Sequence, residues 1–171
     1  MVSALSSFVI RPVRPEEHEA LGELMVAAYH ALADVSPSQG AYDVRLRDVG
    51  YRASVSCVLA AVGPIGEVLG GVTYVSGPED PFSEGLRDGE AGIRMLAVGP
   101  PAQGRGIGRA LTAECVARAR LAGRDRLVLH TSPRMPAAVH IYESMGFTRR
   151  PEIDFSPVPG VHIIGYALEL A

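Results

Sequence analysis

Between an apolar run that ends at Val98 and a helical pattern that ends at Leu121 lies the segment Gln103-Gly104-Arg105-Gly106-Ile107-Gly108. This segment constrains the chain more than any other. The first amides of an α-helix have no partner within the helix, and they stand at the positive end of its dipole. Glycines remove the Cβ atoms that would keep a ligand away, so a phosphate can approach those amides closely. Arg105 and Arg109 add positive charge at the same end. A strand, a glycine turn and a helix in this order form a cradle for an anion, and the rest of the chain must supply a sheet to carry it.

The flanking residues supply that sheet. Phe8 to Pro12 reads as a short strand stopped by proline. Pro15-Glu16-Glu17 opens a helix, with Leu21, Leu24, Met25, Ala28 and Leu32 at helical spacing. Ser36 to Gly40 breaks the chain, and a weaker helix is expected over 41–52. Val55–Val62 and Val68–Val75 read as a hairpin around Pro64-Ile65-Gly66. Ser76 to Gly89 is a long loop rich in glycine, proline and acids. Ala91 to Val98 is the strand before the glycine turn, and the helix after it runs from Gly104 to Leu121, stopped by Gly123. Arg126 to His130 is a strand, and Met135 to Met145 a helix capped by Gly146. Phe147-Thr148 and Val161–Leu170 are the last strands. The expected class is α+β, a single domain over 7–171. It has a mixed, mostly antiparallel sheet, about four helices and one central β–α–β crossover.

Charge points to the same region. All 16 basic residues are arginine. Residues 1–93 carry a net −7, residues 94–150 a net +7 and residues 151–171 a net −3. The basic block surrounds the glycine turn, as a polyanionic ligand would favour. It lacks interleaved aromatics and the whole chain is acidic, so no nucleic-acid partner is expected. No stretch approaches the roughly 20 apolar residues of a membrane span, so no membrane partner is expected either. Met1 to Ile10 shows no signal-peptide pattern. Cys57 and Cys115 fit buried thiols in a reducing, cytoplasmic setting. The five histidines show no ligand spacing, so no metal site is expected.

Three kinds of ligand use such a turn. A P-loop requires a lysine, and the chain has none. A dinucleotide-binding turn would place its third glycine where Arg109 stands. The pattern Gln/Arg-x-x-Gly-x-Gly/Ala is matched by Gln103, Gly106 and Gly108. With Ile93-Arg94-Met95-Leu96-Ala97-Val98 before it and Leu111 after it, this segment resembles motif A of the GCN5-related N-acetyltransferases (GNAT). Ala138 to Phe147, with Tyr142 at its centre, resembles motif B of the same superfamily. The matching part covers about residues 90–150.

That resemblance implies a function. Acetyl-CoA is the expected cosubstrate, and its acetyl group passes to a primary amine of a small molecule or peptide by direct attack in a ternary complex. The amides of Gln103, Gly104, Arg105, Gly106, Ile107, Gly108 and Arg109 would hold the pyrophosphate. The backbone of Leu96, Ala97 and Val98 would pair with the pantetheine arm, with Thr131 and Ser132 close to it. Tyr142 would act as general acid toward the departing thiolate. It also shares a helical face with Ala138, Ile141 and Met145, which suits a core tyrosine. Glu90 is the candidate general base, or holder of a water, or else an acidic loop residue; the position closest in register is Gly92, which cannot act. Where many relatives carry an Asn contacting the cofactor, this chain reads Arg134-Met135-Pro136-Ala137.

The acceptor side would be shaped by the N-terminal helices and the acidic loop. Tyr29 and Tyr42 are candidate substrate-binding residues, near His30 and Tyr51. Glu79, Asp80, Glu84 and Asp88 favour a cationic acceptor. Homodimers are common in this superfamily. The alternative reading is a regulatory module that binds acyl-CoA without catalysis; it needs the glycine turn but not Tyr142.

Overall fold

The computed structural model describes residues 7–32 and 39–170. In chain order its elements are β1 (Val9–Pro12), α1 (His18–Leu32), α2 (Gln39–Arg47), α3 (Val49–Val55), β2 (Cys57–Val62), β3 (Val68–Val75), β4 (Glu90–Val98), α4 (Ile107–Leu121), β5 (Arg126–Thr131), α5 (Pro136–Ser144), β6 (Thr148–Arg149) and β7 (Ile164–Glu169). Short 3-10 turns lie at Pro15–Glu17, Pro100–Ala102 and Pro151–Ile153. The sheet order is β1-β2-β3-β4-β5-β7-β6. β4 and β5 run parallel with α4 between them in sequence. β1 with β2, β5 with β7 and β6 with β7 are antiparallel. The α+β class and the β–α–β crossover are as expected, and the described residues form five α-helices.

The chain falls into two compact units that alternate in sequence: Met1–Thr73 with Met95–Leu111, and Tyr74–Arg94 with Thr112–Ala171. In the first unit, Leu21, Met25 and Ala28 line the buried stripe of α1. A Cβ at Gly22 would lie 2.9 Å from the carbonyl oxygen of Arg47, so glycine is what lets α1 and α2 approach. The expected helix over 41–52 is two helices. Asp48 ends one and caps the next, its side chain accepting from the Tyr51 amide at 3.3 Å. Arg52, buried, donates to the carbonyls of Arg45 and Leu46 at the C-terminal end of α2. Periodicity alone could not show that break, because Leu46 and Val49 are both buried and continue one apolar side. Of the expected chain break at Ser36–Gly40, residues 36–38 lie outside the described residues.

In the second unit, Val128 and Leu129 of β5 face Ala167 and Tyr166 of β7 in the antiparallel register. Ala91, Ile93, Leu127, Leu129, Cys115, Ala119 and Phe147 are buried. The turn-rich stretch 151–160 is pinned to β7, which begins at Ile164 rather than at the expected Val161. Asp154 accepts from both terminal nitrogens of Arg149 and from the Gly165 amide, each at 2.8 Å. Phe155 and Ile163 form an isolated antiparallel bridge.

Candidate active site

The glycine turn is held at its start by the strand before it. The Gly99 amide donates to the Leu69 carbonyl at 2.9 Å, and a Cβ at Gly70 would meet the Ala97 carbonyl oxygen at 2.7 Å. Close approach of β3 thus fixes where β4 ends. The 3-10 turn Pro100–Ala102 follows and buries Ala102. Gly104 and Gly106 then adopt φ of 79° and 78°, which glycine reaches without steric cost. Both are exposed, with nothing within 4 Å of a Cβ built at either. The first helical bond of α4 runs from the Ala110 amide to the Gly106 carbonyl at 3.0 Å. Ile107 and Leu111 are buried and anchor the helix start. Arg105 and Arg109 are exposed, and Arg105 donates to the Ser7 hydroxyl at 2.6 Å. Gln103 turns its side-chain amide toward the Val98 carbonyl at 3.4 Å.

Of the expected arm-binding strand, Ala97 is buried and Leu96 and Val98 are half-buried. Just before them Met95, buried, has φ of 51°. A left-handed non-glycine residue inside a strand reverses the local pleat and marks a site where other interactions hold the backbone. The parallel register of β4 with β5 covers Glu90–Ile93 against Arg126–Leu129, so the irregularity comes right after it. Sequence reasoning missed Met95, and no residue-type signal could have shown it. In the first unit, Tyr29 and Tyr42 stand together, ring centroids 5.5 Å apart and edge to face. His30 and Asp43 are paired beside them at 2.8 Å.

In the second unit, Tyr142 is 5% exposed on α5 and its ring lies 5.8 Å from that of Phe147. Burial, with a lesser contribution from Cys115, raises its pKa, so the phenol stays protonated. Thr131 ends β5 and is buried opposite Ile164; Ser132 is half-buried and accepts from the Arg134 amide at 3.2 Å. Glu90, 7% exposed, has both oxygens engaged: Oε1 with Arg126 at 3.1 Å and Oε2 with the Arg87 amide at 3.0 Å. This arrangement ties the first residue of β4 to the first residue of β5.

A pocket of about 320 Å³ opens in the same unit, lined by residues 84–87, 90, 94, 128, 130, 150 and 152–155. Its carboxylates are matched by arginines: Glu84 with Arg94 at 3.4 Å, Glu90 with Arg126, Glu152 with Arg150, and Asp154 with Arg149. Arg149 holds Asp154 down to about 2, below the usual carboxylate range. Of the acidic loop residues, Asp80 is buried and accepts from the Phe82 amide at 2.8 Å. Among the pocket residues that sequence reasoning missed are His130, half-buried on β5, and Arg150, Glu152 and Asp154. Among the described residues no cluster of His, Cys, Asp and Glu could hold a metal ion, and no helix is long and apolar enough to cross a membrane.

A family model described as the acetyltransferase (GNAT) family matches residues 19–147. The chain belongs to the GNAT family of acetyltransferases, whose acetyl donor is acetyl-CoA. It is 38% identical over 123 residues to the mycothiol acetyltransferase of Salinispora tropica, covering 70% of this chain and 38% of that protein. The mycothiol acetyltransferase of Cellulomonas flavigena is 36% identical over 96 residues, covering 55% of this chain and 28% of that protein. The chain thus spans less than two fifths of the length of these relatives. Solved structures share its fold. A GNAT-family acetyltransferase from Staphylococcus aureus superposes with a TM-score of 0.75 at 14% identity, over 96% of this chain and 99% of that one. A GNAT-family acetyltransferase from Brucella melitensis in complex with acetyl-CoA gives 0.63 at 23% identity, over 98% of this chain and 90% of that one.

Proposed function

We propose that the chain, acting as one domain over residues 7–171, transfers the acetyl group of acetyl-CoA to a primary amine of a small molecule. The observation that carries this reading is the open turn at Gly104 and Gly106, placed at the start of a helix whose exposed flank bears Arg105 and Arg109. Peptide N–H groups at such a turn suit a diphosphate. Residues Gln103 to Arg109 take that role, and the backbone of Leu96, Ala97 and Val98 takes the pantetheine arm, with Thr131 and Ser132 as further contacts. Relatives named mycothiol acetyltransferase favour a small-molecule acceptor over a protein.

The chemistry is direct attack. The acceptor nitrogen forms the C–N bond, the C–S bond breaks, and its electron pair leaves with sulfur. Cys115 is fully buried and unsuited to carrying an acyl group. Tyr142 stabilises the departing sulfur. Its raised pKa lies further above a thiol's ordinary value near 8.5, so complete proton transfer to the thiolate is uphill. The phenol therefore works by donating a hydrogen bond as charge develops on sulfur, and the proton itself follows from solvent. Glu90, with both oxygens engaged, serves the strand pairing rather than proton removal.

Titration calorimetry with acetyl-CoA, followed by thiol release across a panel of small primary amines, tests this reading. Micromolar binding and amine-dependent release are expected, with intersecting initial-rate patterns for a ternary complex. Absence of acetyl-CoA binding would end the proposal. Parallel rate patterns would end direct attack.

A further inference from the structure

The hydrogen-bonding capacity left unused in the pocket of the second unit differs from what its formal charge suggests. Glu84, Glu90, Glu152 and Asp154 line it against Arg87, Arg94 and Arg150. Formal charge alone would make it a cation site. Its carboxylates, however, are already taken. Glu90 accepts from Arg126 on one oxygen and from the Arg87 amide on the other. Asp154 accepts from Arg149 through both oxygens and from the Gly165 amide. Glu84 is bound to Arg94, and Glu152 to Arg150. A cation entering here would have to displace a guanidinium already in place.

The donors are taken unevenly. Arg94 is buried and gives its terminal nitrogens to the carbonyls of Ile93 and Ser83, at 3.0 and 2.7 Å, and its Nε to Glu84. Arg150 is bound through Nε alone, to Glu152, so its terminal nitrogens keep their N–H donors. The buried unpartnered side-chain atoms do not include them, so they open to solvent, although the side chain is only 20% exposed. Arg87 is exposed and uses its backbone amide, toward Glu90; among the described residues its guanidinium has no ion pair or hydrogen bond. Glu152 gathers both side chains. Its pKa is lowered first by the bond from Arg150 and more weakly by the charge of Arg87. His130 adds no further charge: its Nε2 donates to the Ile153 carbonyl at 3.1 Å, and burial, then Arg94, lower its pKa.

We propose that this pocket is a binding site for a small carboxylate with an apolar body, gripped by the guanidiniums of Arg87 and Arg150. The site lies wholly within the second unit and asks nothing of the glycine turn or of acetyl transfer. A planar guanidinium can give a carboxylate two parallel N–H bonds, and a second guanidinium can reach the remaining lone pairs. Arg87 precedes β4 and Arg150 follows β6, so the bound anion ties two separate segments together. The body of the ligand meets Leu86, Val128, Ile153 and Phe155, the last 45% exposed. About 320 Å³ lies in the range of small-molecule sites and is far more than a bare oxyanion fills. That surplus, with its apolar lining, favours an organic acid over inorganic phosphate. Glu152 shares the two guanidiniums, so it competes with the carboxylate of the ligand, and neutralising it strengthens binding.

The test uses the whole chain and two carboxylates, phenylacetate and hexanoate. The neutral phenylacetamide, the cation phenethylamine and inorganic phosphate serve as comparisons. Calorimetry gives the affinity, and backbone amide shifts in the ¹H–¹⁵N spectrum give the place. We expect saturable binding of a carboxylate, with shifts concentrated at residues 84–87 and 152–155, and binding of the three comparison compounds weaker by about tenfold or more. Arg150→Gln should lose about tenfold in affinity, and Arg87→Gln, at an exposed position, about threefold. Glu152→Gln should gain about threefold. Opposite signs at Arg150 and Glu152, two residues apart, separate a ligand contact from a folding defect. No saturable binding of either carboxylate would overturn the proposal, as would equal binding of the amide, the amine or phosphate. Shifts centred on Gln103–Arg109, or an unchanged affinity in Arg150→Gln, would also overturn it. A parallel titration with acetyl-CoA keeps the two readings apart. Acetyl-CoA binding without carboxylate binding would end this inference alone, and the reverse would end the transfer reading alone.

Discussion

In the Gln103–Gly108 turn, the polar groups offered to a ligand belong to the backbone, and side chains have been removed to expose them. In the pocket lined by residues 84–87, 90, 94, 128, 130, 150 and 152–155, they belong to side chains, and nearly every charge already has a protein partner. The first arrangement is insensitive to which residues surround it, provided the glycines remain. The second depends on each side chain holding its neighbour. A backbone cradle suits an invariant ligand such as a diphosphate, and a side-chain pocket can be reshaped for different ligands.

Mutations at the two regions should therefore differ in kind. The largest effect belongs to the cradle. Gly106→Glu puts a carboxylate into the proposed anion site and a side chain at φ of 78°, so acetyl-CoA binding should fall below detection by calorimetry, with the fold retained by circular dichroism. Near-normal affinity in that variant would break the comparison. Next is Tyr142→Phe, which removes the hydroxyl and keeps the ring against Phe147. We expect about a 10²-fold loss in kcat with unchanged acetyl-CoA affinity. Ultraviolet difference titration should show the Tyr142 phenol still protonated where an ordinary tyrosine ionises, because burial raises its pKa.

Smaller effects should come from the pocket's ion pairs. Asp154→Asn loses charge-assisted bonds from Arg149 and Gly165, and denaturant unfolding should show a loss of about 1.5–3 kcal/mol. The folded pKa of Asp154 is about 2, against an ordinary value near 3.9. Its contribution is thus fully present above roughly pH 4 and lost as pH falls toward 2, so the gap between wild type and variant should close in acid. A gap independent of pH would mean that the charge of Asp154 is not what stabilises. The smallest effect on turnover is expected for Glu90→Gln. A change in kcat of less than about tenfold, under about 1.4 kcal/mol of barrier, would fit a strand tie. A hundredfold loss with intact stability would return Glu90 to the role of base.

The same contrast explains what could be read from the sequence. The strand before the glycine turn, α4, β5 and α5 were legible because apolar spacing, stop residues and glycines all lie within short windows. The cradle was legible for the same reason, since consecutive residues build it. The pocket was not, because its wall joins residues 84–87, 90 and 94 to residues 150 and 152–155, and no spacing rule links them. His130 reads as an unremarkable strand histidine until the Ile153 carbonyl fixes its tautomer. The break between α2 and α3 was missed because Arg52, a charged residue in a helical pattern, is buried to satisfy the carbonyls at the end of α2. Asp48 before Val49 was the available cue, a cap residue ahead of an apolar one.

Met95 has a consequence for how this chain can drift. Its backbone would be relaxed by glycine, while its buried thioether fills space that glycine would leave empty. No single residue type satisfies both demands, so substitution there trades one penalty for another. β-Branched replacements, the usual currency of exchange within strands, are the worst served. Variation at this position should accordingly be narrow for reasons of shape alone, even if the methionine never touches a reactant.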